Sequence, residues 1–171
     1  MKKISLMIGL LSAMTISAFT QKYAFVDTEY ILNNIPTYKA AEEELDKLSQ
    51  QYESEINELY DELDKLGKEY DAEKLLMTNE MKTEKEKTLK TKYEAARKLQ
   101  NDYFGDEGML FKKREELVQP IQEEIYNAVK EIANESGYAV IFDSASGPTM
   151  LYTNPRYDVS DEVLQRLGYK N

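Results

Sequence analysis

Residues 37–134 contain a single proline, Pro120, and only three glycines, and their apolar residues return at helical intervals. Leu45, Leu48, Tyr52, Ile56, Leu59, Leu63, Leu66 and Tyr70 follow one another at spacings of 3, 4, 4, 3, 4, 3 and 4. Glu, Lys, Leu and Ala dominate the stretch, and all four are strong helix formers. Alternating threes and fours make a coiled-coil seam. The two successive fours from Leu48 to Ile56 are a stutter that locally unwinds a left-handed supercoil. So narrow an apolar stripe must be buried against another like it.

One helix over the whole range would be ~147 Å long at ~1.5 Å per residue. Periodic runs beyond ~25 residues in a globular chain imply a coiled coil or repeats, so the spacing predicts a helical hairpin. Thr83-Glu-Lys-Glu86 is a capping-box pattern and would open the return helix. Leu75 to Lys82 would then hold the tip, and residues 37–118 the arm, with its tip near 75–83.

Charge agrees with folding back. Glu42 to Glu73 carries 13 acidic and 3 basic residues, whereas Lys74 to Gln100 carries 8 basic and 4 acidic. An acidic outgoing helix beside a basic return gains complementary pairing. Exposed pairs contribute only ~0.2–1 kcal/mol each, so they select the partner more than they stabilise it. The return seam runs through Leu89, Tyr93, Ala96, Leu99 and Tyr103. Gly105-Asp-Glu-Gly108 then weakens the helix as a wrist, and Pro120 should kink it. Beyond Pro120 the apolar face of Ile121, Ile125, Ala128, Val129 and Ile132 broadens, as in a helix packed on a sheet. Gly137 can end this helix in the left-handed conformation.

The flanks read as a small β body, residues 21–36 and 119–171. Tyr23, Phe25 and Val26 mark a first strand, and Tyr138-Ala-Val-Ile-Phe142 a second. Thr149-Met-Leu-Tyr-Thr153 is expected as a third. Asp27 suits the N-cap of a short helix that Pro36 interrupts. A last helix over residues 161–167 would be capped by Ser160, with Val159 and Leu164 as a hydrophobic staple. The fold class is therefore α+β and predominantly helical, a small β body with a long antiparallel coiled-coil hairpin. Such a body buries little core alone, so copies should associate.

Met1-Lys2-Lys3 followed by the uncharged, mostly apolar run Ile4 to Phe19 has the form of a signal peptide. Cleavage is expected near Thr20/Gln21, and no stable membrane insertion is expected. Removing residues 1–20 also removes Lys2 and Lys3, which leaves the exported chain more acidic than the −10 of the full sequence.

The chain has neither Cys nor His. Disulfides, thiolate nucleophiles, imidazole bases and the usual zinc ligands are thereby unavailable. Its net negative charge argues against nucleic acid. No Gly-rich phosphate loop occurs, so no cofactor is expected. Glu42-Glu43-Glu44 lacks calcium-loop spacing and reads as a solvated helix face. Asp27 and Asp143 each end a strand and could form a hydrolytic carboxylate pair. Capping and turn formation explain the same residues without catalysis, and no enzyme is expected. Tyr52, Tyr60, Tyr70, Tyr93 and Tyr103 read as seam residues.

The mature chain resembles the Skp/OmpH family of periplasmic chaperones along essentially its whole length. The resemblance rests on Tyr23-Ala-Phe-Val-Asp27, on the long charged helical insert, and on the run from Gln119 through Pro120 and Ile121 to Asp143. Leu151-Tyr152 and Asp158-Val-Ser-Asp-Glu-Val-Leu164 add to it. The resemblance implies a homotrimer with a β-rich body and three helical tentacles. It also implies a periplasmic, ATP-independent holdase that shelters unfolded outer-membrane β-barrel proteins. Strongly basic members are the best known, whereas this chain is acidic. Its positive charge survives at Lys74, Lys82, Lys85, Lys87, Lys90 and Lys92, around the predicted tip. These six residues are the candidate client contacts. The alternative is a structural coiled-coil adaptor of the cell envelope.

Overall fold

The computed structural model describes residues 21–147 and 150–170. The signal-peptide reading falls on residues 1–20 and lies outside the described residues. Strand β1 (Lys22–Val26) leads into α1 (Thr28–Asn33) and α2 (Pro36–Glu73). Then come α3 (Asn79–Phe104), α4 (Met109–Ser136) and β2 (Tyr138–Asp143). A 3-10 turn (Pro155–Tyr157) and α5 (Ser160–Arg166) complete the chain.

Asp27 caps α1 as expected, its carboxylate accepting from the Tyr30 amide at 2.8 Å. Pro36 both separates α1 from α2 and occupies the first turn of α2, where its missing N–H would have had no partner. Gly137 ends α4 at φ 68°, with its N–H bonded to the Ala133 carbonyl. The helix runs through Pro120 without interruption.

β1 and β2 pair in parallel, Ala24 opposite Ile141 and Phe25 opposite Phe142. Parallel neighbours require a crossover, and here the crossover is the whole hairpin together with α4. One sheet face supplies Ala24 and Val26 to the core, with Ile121, Ile125, Ala128 and Ile132 of α4. Ile31, Ile35, Val159, Val163 and Leu164 close that cluster. Both staple residues are therefore in the core.

Two expectations in the body are corrected. Among the described residues the sheet has two strands, and Met150–Thr153 is not one of them. A strand persists only where its N–H and C=O groups find a ladder, and among the described residues this segment joins no sheet edge. Leu151 is 99% exposed and Tyr152 78%. The second correction concerns Ser160, which does not cap α5 but is its first residue, buried. Its hydroxyl accepts from the Asp27 amide at 2.8 Å and donates to Asp158. The end of β1 is thereby tied to the start of α5.

The return helix also begins earlier than its capping-box pattern suggests. Thr78 is the N-cap, in extended conformation, and its hydroxyl accepts from the Met81 amide at 3.3 Å. Thr83 instead lies within α3 and donates to the Asn79 carbonyl one turn back. Thr-x-x-Glu fits a helix interior as well as a helix start, and only the chain path separates the two.

Candidate functional site

The long arm is the feature with functional potential. At ~1.5 Å per residue, the 38-residue α2 is ~57 Å long and the 26-residue α3 ~39 Å. Ala41, Leu45, Tyr52 and Ile56 of α2 are buried. Leu59, Leu63, Leu66 and Tyr70 are only half-buried, so the seam thins toward the tip. On the return, Ala96 is buried and Leu89, Leu99 and Tyr103 are half-buried. Tyr93 is an exception to the expected seam: it is exposed, with the Arg97 guanidinium 6.0 Å from its ring centre.

Tyrosines supply the aromatic and hydroxyl contacts between α2 and α3. Tyr52 and Tyr103 stack, and Phe104 meets Tyr52 edge-on at 6.2 Å. The Tyr103 hydroxyl donates to Glu55, the Tyr60 hydroxyl to Gln100 at 3.4 Å, and the Tyr70 hydroxyl to Glu86. The bond from Tyr103 holds the Glu55 carboxyl below its ordinary pKa and lifts the phenol above its own. Glu86 raises the Tyr70 phenol in the same way. The one α2–α3 ion pair among the described residues is Lys92–Glu62 at 2.9 Å. Nearer the body, Lys113 and Arg114 of α4 pair with Glu44 and Glu42 of α2. Opposite charge on the two helices is thus mostly a shared field, while the phenols make the specific rungs.

The expected wrist is a tight turn with a steric requirement. A Cβ on Gly105 would lie 2.5 Å from the Asn101 carbonyl oxygen, and one on Gly108 would lie 2.7 Å from that of Tyr103. The Gly108 amide donates to the Gly105 carbonyl at 2.8 Å. These residues break the return side into α3 and α4, while α2 opposite continues unbroken.

The six candidate lysines do not converge at one point. Lys74 sits at the turn, where its ammonium pairs with Asp71 at 2.7 Å. Lys82, Lys85, Lys87, Lys90 and Lys92 are strung along α3. Lys90 pairs with Glu94 and Lys92 with Glu62, whereas Lys82, Lys85 and Lys87 have no ion pair among the described residues. Periodicity did not single out Leu75 and Leu76, which are 88% and 91% exposed in the turn. Two adjacent leucines outside the seam were the available signal.

At the body, Asp27 and Asp143 do lie at neighbouring strand ends, because Val26 pairs with Asp143. Their oxygens are engaged in holding the chain. Asp143 accepts from the Thr28 amide at 3.2 Å and hydroxyl at 2.8 Å, from the Ala145 amide at 3.0 Å, and from Ser146. Burial alone would raise its pKa, but the bonds from Ser146, Thr28 and Ala145 prevail and hold it below the ordinary value. A carboxylate fixed as an anion by four donors is a turn anchor, not a poised acid.

The sheet face turned away from α4 is uncovered. Tyr23, Val140 and Phe142 are exposed on it and Phe25 is half-buried. Phe25 and Phe142 are 5.8 Å apart between ring centres, and Tyr23 and Tyr157 are 5.5 Å apart.

A two-stranded body that carries a long helical hairpin within its β-crossover defines the class of this protein: α+β, mostly helical, with a projecting arm. The chain belongs to the family described as "Outer membrane protein (OmpH-like)", which it matches over residues 22–167. No curated protein matches its sequence. Among solved structures it is similar to an OmpH-like protein of Caulobacter crescentus CB15, provisionally assigned as an outer membrane chaperone. The two share 17% identity with a TM-score of 0.65, over 86% of this chain and 83% of the other. At that identity the likeness concerns the fold.

Proposed function

We propose that this protein is a periplasmic, ATP-independent holdase that keeps unfolded outer-membrane β-barrel proteins from aggregating before insertion. Membership of the OmpH-like family supports a chaperone role. The observation that carries the reading is the arm. It is long, thin and amphipathic, and it ends in exposed apolar residues rather than in an enclosed pocket. Strands awaiting a barrel are apolar on one face and aggregate through their unpaired edges, so keeping chains apart is sufficient protection. Among the described residues no helix is long and apolar enough to cross a membrane. Export with cleavage near Thr20/Gln21 completes the localisation.

The assembly proposed is a homotrimer. The open aromatic sheet face and the exposed Leu151 and Tyr152 support association of copies through the body, because so small a core leaves this apolar surface in water. Three arms on one body would bound a space for a client. Lys74, Lys82, Lys85, Lys87, Lys90 and Lys92 are its proposed polar contacts, with Lys82, Lys85 and Lys87 the first to reverse in sign.

Dilution of a urea-denatured barrel protein into buffer with this protein, without nucleotide, tests the reading. Near-stoichiometric suppression of light scattering is expected. No suppression, together with recovery of one folded envelope partner, would establish the adaptor instead.

A further inference from the structure

We infer that Leu75 and Leu76, with Met81 beside them, form an apolar contact site at the arm tip for the side chains of an unfolded polypeptide. This rests on the holdase reading and names a site for it. Both leucines lie in the turn between α2 and α3, and Met81, in the first turn of α3, is 52% exposed. Met77, the remaining apolar residue of the tip, is buried, so the turn has an apolar position that it fills and two that it leaves in water. Leu75 and Leu76 contribute nothing to the seam.

Shape and charge select the occupant. The leucines project from the convex end of a two-helix rod. A flat or convex folded surface could cover only a small part of both, whereas a loose chain can wrap around them. A lipid bilayer could also receive them, but an anionic bilayer calls for a basic tip. From Asp71 to Lys85 the tip carries four acidic residues against three basic ones, and Lys74 is already paired with Asp71. The apolar side chains of an unfolded polypeptide fit this near-neutral, convex apolar end. The contact is small per arm and gains strength when several arms hold one chain.

The double variant L75Q/L76Q keeps the turn backbone and removes the apolar tip. Far-ultraviolet circular dichroism should remain that of the parent. Affinity for a urea-denatured, fluorescently labelled barrel protein should fall on the order of tenfold, as expected when two leucines that a loose chain covers only in part lose that contact. A photo-crosslinking residue at position 76 should label the bound client, and one at the exposed Gln50 should label it much less. Unchanged affinity, or no crosslink from position 76, would overturn the tip site while leaving the holdase reading intact. Failure of the parent protein to bind the denatured client would overturn both. Leucine-dependent sedimentation with phosphatidylcholine or phosphatidylglycerol vesicles, with client binding unchanged, would assign the tip to lipid and reject the inference.

Discussion

Tyr52 of α2 and Tyr103 of α3 lie face to face, with ring centres 3.9 Å apart and planes 10° from parallel. The stack sits immediately before the Gly105–Gly108 turn, where the return side of the arm is interrupted. It joins the continuous helix to the broken one at the point where helical hydrogen bonding cannot. Tyr52 also occupies the middle of the seam stutter, where two successive spacings of four bring a large side chain to the inner face.

Truncation of Tyr52 should therefore loosen the arm. Tyr52→Ala is expected to destabilise it by about 2–4 kcal/mol, through loss of a buried ring and its aromatic partners. Tyr52→Phe keeps the stack and should be nearly neutral. Urea unfolding followed by circular dichroism at 222 nm distinguishes the two variants.

Glycine substitutions should divide by position. Gly105→Ala and Gly108→Ala place a methyl group within 2.5 Å and 2.7 Å of backbone oxygens and should each destabilise by about 1–3 kcal/mol. Gly67→Ala, inside α2 with nothing within 4 Å of the new methyl, should stabilise by about 0.5–1 kcal/mol. Thermal melts of the three variants give the signs directly.

Asp143 should confer acid sensitivity on the body. Its folded pKa lies below the ordinary value, so its stabilisation is complete above the unfolded pKa of ~3.9 and is lost as pH falls through the lower folded value. Asp143→Asn should destabilise by about 1–2 kcal/mol near neutral pH, where the donors from Thr28, Ser146 and Ala145 lose their anion. The gap between parent and variant should narrow only as pH falls through the lowered folded pKa of Asp143. Denaturant midpoints from pH 2 to 7 measure it.

The open sheet face should govern assembly. Phe142→Ser together with Phe25→Ser removes the aromatic pair at its centre. Sedimentation velocity is expected to show the parent as a trimer and the variant shifted to lighter species. An unchanged sedimentation coefficient would place the interface elsewhere.

The helices of the hairpin, the two strands, the Asp27 cap and the Gly137 stop were all legible in the sequence, because each depends on residues within a few positions of one another. Periodicity sets which side of α2 is apolar, and a left-handed C-cap needs glycine wherever the rest of the chain lies. The family resemblance, carried by the order of strand, insert and closing elements, is of the same linear kind. The opposite charge of the outgoing and return segments was equally plain.

Tertiary structure alone decided the features that depend on residues far apart in the chain. Tyr103 could be placed on a seam, but its stack on Tyr52 and its bond to Glu55 follow from the register of two antiparallel helices. Ser160 has the look of a local cap, yet its hydroxyl serves the end of β1, 133 residues earlier. Met150–Thr153 has strand composition but pairs with no strand among the described residues. The lysines cluster along the sequence and disperse along ~15 Å of helix between Lys82 and Lys92, at ~1.5 Å per residue. Leu75 and Leu76 are exposed because the turn falls on them, which depends on how the two arms close. Local spacing determines which elements form; the register and closure of those elements determine what each exposed side chain can meet.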